Sequence, residues 1–243
     1  MQNEQIVRRK LSDEVFARLK QLIASGVLKP GDDMPSEREL MERFGVGRPA
    51  IREAMQALAN MGLVQISHGE RAKVLALTAQ SILRQMDGAA AIMLSSSSDS
   101  LEHLKSARIF FERGMAREAA ERASDSDIMG LRQTLDLQRA SLGDAAAFIA
   151  ADMAFHSQIA AISGNPIYLA VSKAMLGWLK AHHTDMLIWA GKEKLTLTEH
   201  AEIIDCIAAH DADKAEAALV AHLERSRSLY ILPAPSSADA AMR

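Results

Sequence analysis

Asp152 and His156 stand four residues apart in FIAADMAFHSQIAAI, a spacing that puts both side chains on one face of a helix. His200 and His222 follow in two later helical stretches. A carboxylate oxygen and imidazole nitrogens are suitable ligands for zinc and similar divalent ions. An Asp–His pair at this spacing also occurs by chance, and a histidine on an apolar face is more often a satisfied core residue. Spacing alone therefore leaves both readings open. Of the remaining histidines, His103, His182, His183 and His210 show no comparable arrangement. A second kind of chemistry lies near the other end of the chain. Arg43, Arg48 and Arg52 occur with no acidic residue between positions 43 and 52. Guanidinium forks suit phosphate oxygens and the O6/N7 edge of guanine.

The elements that position these arginines are readable. Ser12 can cap a helix reaching about Ser25, with Val15, Leu19, Leu22 and Ile23 on one face. Lys29-Pro30-Gly31-Asp32 is a turn. Ser36-Glu37-Arg38-Glu39 has capping-box form and starts a short helix ending near Phe44. Pro49 suits the first turn of a third helix, whose inward stripe is Ile51, Ala54, Met55 and Leu58. After Gly62 the period changes. Residues 63–66 and 72–75 read as two short strands around a turn at His68-Gly69-Glu70. This order predicts a winged helix-turn-helix over 1–76, with the helix near 49–61 entering a major groove of double-stranded DNA. The charge balance agrees: residues 1–76 hold 12 Lys/Arg and 10 Asp/Glu, net +2, and the remainder is −5.

From 77 onward the periodicity is helical: a run over 77–93, a polar break at Ser95–Ser98, then helices over about 101–123, 125–142, 144–163, 165–190, 196–209 and 211–230. The expected architecture is mainly α, with an all-α bundle over 77–243 large enough to enclose a ligand and a flexible tail from about 233. A 4% aromatic content disfavours a β-sandwich. Cys206 is the one cysteine, which excludes a disulfide framework. No run of about 18 consecutive apolar residues and no secretory leader is read, so a cytoplasmic protein without a membrane partner is expected.

The stretch PSERELMERFGVGRPAIREAMQALANMGLVQISHGERAKV resembles the DNA-binding domain of GntR-family bacterial transcription regulators. In its fatty-acid regulator branch the DNA-contacting positions fall here on Arg38, Arg48, Pro49, Ala50, Arg52, His68 and Gly69. Many relatives carry Ser or Thr at the positions of Pro49 and Ala50. The segments SARIFFERGMAREAAERAS, FIAADMAFHSQIAAISGNPI and HAEIIDCIAAHDADKAEAALVAHLE are similar to the FCD effector domain of that family. The resemblance implies a buried metal, expected to be zinc, held by Asp152, His156, His200 and His222. It argues against an acyl-CoA effector, because the acyl-CoA branch generally lacks this ligand set. It also places Arg108 facing the effector cavity, where it could pair with a carboxylate, although a salt bridge to Glu112 is the alternative. Asn165 reads as a helix boundary, with ligand contact as the alternative, and Met175, Trp178 and Trp189 as core packing, with the cavity or a dimer surface as the alternative. Within the family the chain is similar to repressors of sialic-acid catabolism, which implies N-acetylneuraminate as effector, with other sugar or hydroxy acids as alternatives. The implied function is a homodimeric repressor that loses its palindromic operator when the acid binds. A metal-dependent hydrolase is the competing class, since an open zinc site activates water, but no general base is read beside the ligand set.

Overall fold

The computed structural model describes residues 10–67, 69–183 and 192–227. The expected tail from about 233, His68 and Trp189 lie outside them. The chain forms two compact units, Met1–Gln85 and Met86–Arg243.

The first unit holds α1 (Leu11–Ala24), α2 (Glu37–Phe44), α3 (Arg48–Asn60), β1 (Val64–Gln65), β2 (Lys73–Val74) and α4 (Ala79–Arg84). Leu19, Leu40, Ile51 and Leu58 are completely buried at its centre. Truncating any one of them to Ala would cost about 2–5 kcal/mol. Ser36 caps α2 by accepting from the Glu39 N–H, and the Glu39 carboxylate accepts from the Ser36 N–H. Gly45 ends that helix at φ +66°, a left-handed conformation that glycine adopts without strain. Pro49 lies in the first turn of α3, and Gly47 is its N-cap. The antiparallel wing pairs Val64 with Val74 and Gln65 with Lys73. Ser12 does not cap α1. Lys10 occupies the N-cap position without a side-chain bond, and Ser12 is buried one residue inside the helix.

The second unit is all helical among the described residues: α5 (Asp87–Ser96), α6 (Ser98–Arg122), α7 (Asp125–Ala140), α8 (Ala145–Ile162), α9 (Pro166–His183), α10 (Glu193–Ala208) and α11 (Ala212–Arg227). Small residues on α6 (Ala116, Ala119, Ala120) share one core with Leu219 and Leu223 of α11, Phe155 and Ile159 of α8, and Ile203, Ile204 and Ile207 of α10. The run expected over 77–93 is two helices. The chain breaks at Gln85–Met86, and α4 belongs to the first unit, so the division falls after Gln85 rather than after residue 76. The serine run is barely a break: Ser96 ends α5, Ser97 caps, and Ser98 begins α6. On mean hydropathy α8 is long and apolar enough to cross a membrane, although Asp152, His156, Ser157 and Gln158 interrupt its apolar residues. Its packing against α6, α7 and α9, with His156 buried at its centre, makes it a core helix of the bundle.

Candidate metal centre and DNA-reading surface

Asp152 and His156 on α8, His200 on α10 and His222 on α11 converge, with ligand atoms all within 4.8 Å of one another. The three imidazoles are buried. His200 Nε2 lies 3.5 Å from Asp152 Oδ1 and 3.3 Å from His222 Nε2, and His156 Nε2 lies 3.8 Å from Asp152 Oδ2. A tetrahedral ion with ligands at about 2.0–2.1 Å holds its ligand atoms about 3.3–3.4 Å apart. These three spacings are therefore within about half an ångström of those that an ion would impose.

The direction of each ring follows from its outer nitrogen. His200 Nδ1 donates to Gln138 Oε1 at 2.8 Å, and the same amide donates from Nε2 to Asp152 Oδ1 at 3.2 Å, which fixes its orientation. His222 Nδ1 donates to Glu199 Oε2 at 2.7 Å. His156 Nδ1 stands 2.7 Å from Glu112 Oε2. With the Nδ1 hydrogens of His200 and His222 turned outward, their Nε2 lone pairs face one another beside a carboxylate. His156 Nε2 is buried with no hydrogen-bond partner among the described residues. Buried acceptors that converge without a donor repel, and a cation at their centre removes the cost.

Electrostatics prepares the same state. Burial first, then the neighbouring His222 and His156, pushes His200 well below the ordinary histidine range. Burial also lowers His222, against the opposing hydrogen bond to Glu199. Both imidazoles are thus held in the neutral form that ligates metal. Burial would raise Glu112, but Arg108 and His156 overcome it and hold the carboxyl at about 2. Glu199 is lowered in the same way by His222 and Arg225, against its own burial.

Arg108 takes the alternative the sequence left open: its Nε donates to Glu112 Oε1 at 2.6 Å, and both side chains are buried. It therefore supports His156 through Glu112. Asn165 marks a helix boundary, its Oδ1 accepting from the Ile167 N–H. Met175 packs with Leu94, Leu101, Leu104 and Leu179. Trp178 Nε1 donates to Asp87 Oδ1 at 2.8 Å, fixing α9 to the start of α5. Sequence reasoning missed Gln138, Glu199 and Arg225, and it saw Glu112 only as an arginine partner. None carries a local signal: Gln138, Glu199 and Glu112 each act on a histidine of another helix, and Arg225 acts through Glu199 of α10.

On the first unit, Arg48, Pro49, Ala50 and Arg52 form the first turns of α3, with all but Ala50 exposed. Glu37 at the start of α2 reaches both arginines, 3.5 Å from Arg48 Nε and 2.8 Å from Arg52 Nε. Arg38 on α2 is exposed and 4.0 Å from Glu42. Gly69, at φ +78°, lies in the exposed turn between the wing strands. Arg43 lies over the ring of its neighbour Phe44.

Residues 11–74 match the gntR family of bacterial regulatory proteins, and residues 103–225 match the FCD domain. The chain belongs to the GntR family, in its FCD-domain branch, and is a DNA-binding transcriptional regulator rather than an enzyme. It is 42% identical over 238 residues to the HTH-type transcriptional repressor NanR of Edwardsiella tarda, covering 96% of this chain and 91% of that protein. It is 40% identical over 225 residues to NanR of Escherichia coli K12, covering 92% and 85%. The solved structure of Streptococcus agalactiae GntR shares the fold, with a TM-score of 0.65 at 23% identity, covering 89% of this chain and 99% of that one.

Proposed function

We propose that this chain is a repressor, as its NanR relatives are named, whose hold on operator DNA is released by a monoanionic sugar acid bound beside a zinc ion. The observation that carries the reading is the buried convergence of Asp152, His156, His200 and His222, with two Nε2 atoms 3.3 Å apart and no donor between them. Three imidazoles and one carboxylate favour zinc over harder ions, and the ion would act as a Lewis-acidic anchor for an oxygen ligand.

Charge balance selects the effector class. Arg108 is matched by Glu112, Arg225 by Glu199, and Lys105 by Glu102. A divalent ion with neutral imidazoles and Asp152 as its one carboxylate ligand keeps one positive charge, which a monocarboxylate neutralises. N-acetylneuraminate, implied by the resemblance to sialic-acid repressors, fits as a monoanion rich in hydroxyls. Arg108 flanks this position, and its five N–H donors make the Glu112 bond compatible with a ligand carboxylate.

In the reader, Arg48 and Arg52 take phosphates and guanine edges in the major groove, Pro49 and Ala50 line the approach, and Arg38 takes a flanking phosphate. His68 and Gly69 enter the minor groove. A homodimer presents two such surfaces to a palindromic operator, and the protein works in the cytoplasm. Two side-chain bonds support coupling between the sites. Gln85 donates to the Met61 carbonyl at the end of α3, and two residues later Asp87 accepts from Trp178 of α9. A shift of α9 on effector binding would thus reach the segment that anchors the recognition helix.

The test is elemental analysis, followed by thermal-shift screening of the metal-loaded protein against N-acetylneuraminate, D-gluconate, D-galacturonate and L-lactate. About one zinc per chain is expected, with the largest rise in melting temperature from N-acetylneuraminate. No ion after supplementation, or no stabilising acid, would overturn the reading. Stabilisation by a different acid would reassign the effector.

A further inference from the structure

The outward face of α6 carries a large side chain and, one turn later, a missing one. Phe110 is 70% exposed, and Gly114 is exposed four residues further along the same face. Glycine in a helix interior destabilises it relative to alanine. A Cβ at Gly114 would meet nothing within 4 Å, so the chain's own packing has room for one. One exposed phenylalanine is ordinary on a protein surface. Beside a recess that the chain itself does not use, it is a knob next to a hole.

The rest of the stripe divides in the same way. His103, Ser106 and Ala107 precede Phe110 on this face, and Arg117, Glu118 and Glu121 follow Gly114. Arg117 is held in place by Asp213 and Glu216 of α11. Two copies of the stripe, laid antiparallel about a two-fold axis near residue 112, set each Phe110 over the Gly114 of the other copy. The small Ser106 and Ala107 then lie opposite the long Arg117 and Glu118. His103 lies opposite Glu121, whose carboxylate accepts from the imidazole. A parallel pairing would set Phe110 on Phe110 and Glu121 on Glu121. The face is therefore complementary to itself in shape and in charge, as an isologous contact requires. The missing Cβ lets the two backbones approach toward the lower end of the usual interaxial range of about 8–10 Å. On the opposite, buried face of α6 stand Arg108 and Glu112, which support His156.

We propose that the Phe110–Gly114 face of α6 is the surface on which a second copy of this chain docks, antiparallel, with each phenylalanine seated over the glycine of the other copy. This rests on the homodimer reading above and names its surface.

The experiment is sedimentation equilibrium of the metal-loaded full chain, with helix content checked by circular dichroism. Wild type should be a dimer. Phe110→Ala should weaken dimerisation about 30-fold or more, as for an aromatic anchor. Gly114→Gln, which fills the recess, should weaken it about 5–150-fold. Both should keep wild-type helix content, since both positions are exposed. Leu137→Ala, at an exposed apolar residue of α7, should leave the dimer unchanged. His103→Glu should weaken the dimer about 2–30-fold by setting like charges at two exposed contacts, and adding Glu121→Lys should restore it. A wild-type dimer that Phe110→Ala and Gly114→Gln leave intact would overturn the assignment and leave the homodimer reading standing. A dimer lost in Leu137→Ala but kept in Phe110→Ala would also overturn it. Failure of Glu121→Lys to restore His103→Glu would overturn the antiparallel pairing. If wild type is a monomer, the homodimer reading fails and this surface fails with it.

Discussion

In the DNA-reading unit, Arg48 and Arg52 share Glu37 in the open, whereas in the bundle Arg108 and Glu112 face each other almost fully buried. The distances are similar and the consequences are opposite. An exposed pair is worth about 0–1 kcal/mol and weakens with salt, so a DNA phosphate can displace Glu37 from either arginine at little cost. In the buried pair, loss of either Arg108 or Glu112 would strand the charge of the other. Arg225 and Glu199 form a corresponding, partly exposed pair beside His222. One unit holds its cations available for exchange with a polyanion. The other holds its ligands in fixed positions, so an ion and an acid can bind without reorganising them.

The largest expected effect falls on the buried network. A His156→Ala/His200→Ala protein should retain no zinc, against about one ion per chain in wild type by elemental analysis. Its operator binding without effector should persist, since the reader is a separate unit. Next, Arg48→Ala or Arg52→Ala should each cost about 1–3 kcal/mol of operator affinity if the arginine makes a bidentate guanine contact, measured at fixed salt by fluorescence anisotropy. Zinc content should be untouched. Glu199→Gln, which removes the charged acceptor behind His222, should weaken zinc affinity about 10–100-fold in competition with a chelator dye and leave operator affinity unchanged. The smallest effect is local: Ser36→Ala should cost about 0.5–2 kcal/mol of stability in denaturant unfolding by removing the cap of α2. A zinc loss in Ser36→Ala, or an operator loss in Glu199→Gln, would show that the two units do not hold their chemistry separately.

Local signals were enough for the reader. The Ser36–Glu39 box, Pro49 in the first turn and the change of period after Gly62 are each set by neighbouring residues, and each appears in the structure. Ser12 misled because a serine before an apolar stripe can lie inside the helix as easily as cap it. The break at Gln85–Met86 was not legible, since the apolar period runs through it. At the break the Gln85 side chain makes a tertiary bond to the Met61 carbonyl. In the bundle, Asp152 and His156 announce a shared face, but nothing local says that His200 and His222 meet them. The resemblance to the FCD domain supplied that pairing, and Gln138 and Glu199 became visible only when their helices were packed together.

Operator affinity of the metal-loaded protein, titrated with and without saturating N-acetylneuraminate, tests the central claim most directly. The acid should raise the operator Kd about 5–150-fold, the range of a coupling energy of about 1–3 kcal/mol. The His156→Ala/His200→Ala protein should show no change. An unchanged Kd in wild type, with the acid shown calorimetrically to be bound, would contradict the claim.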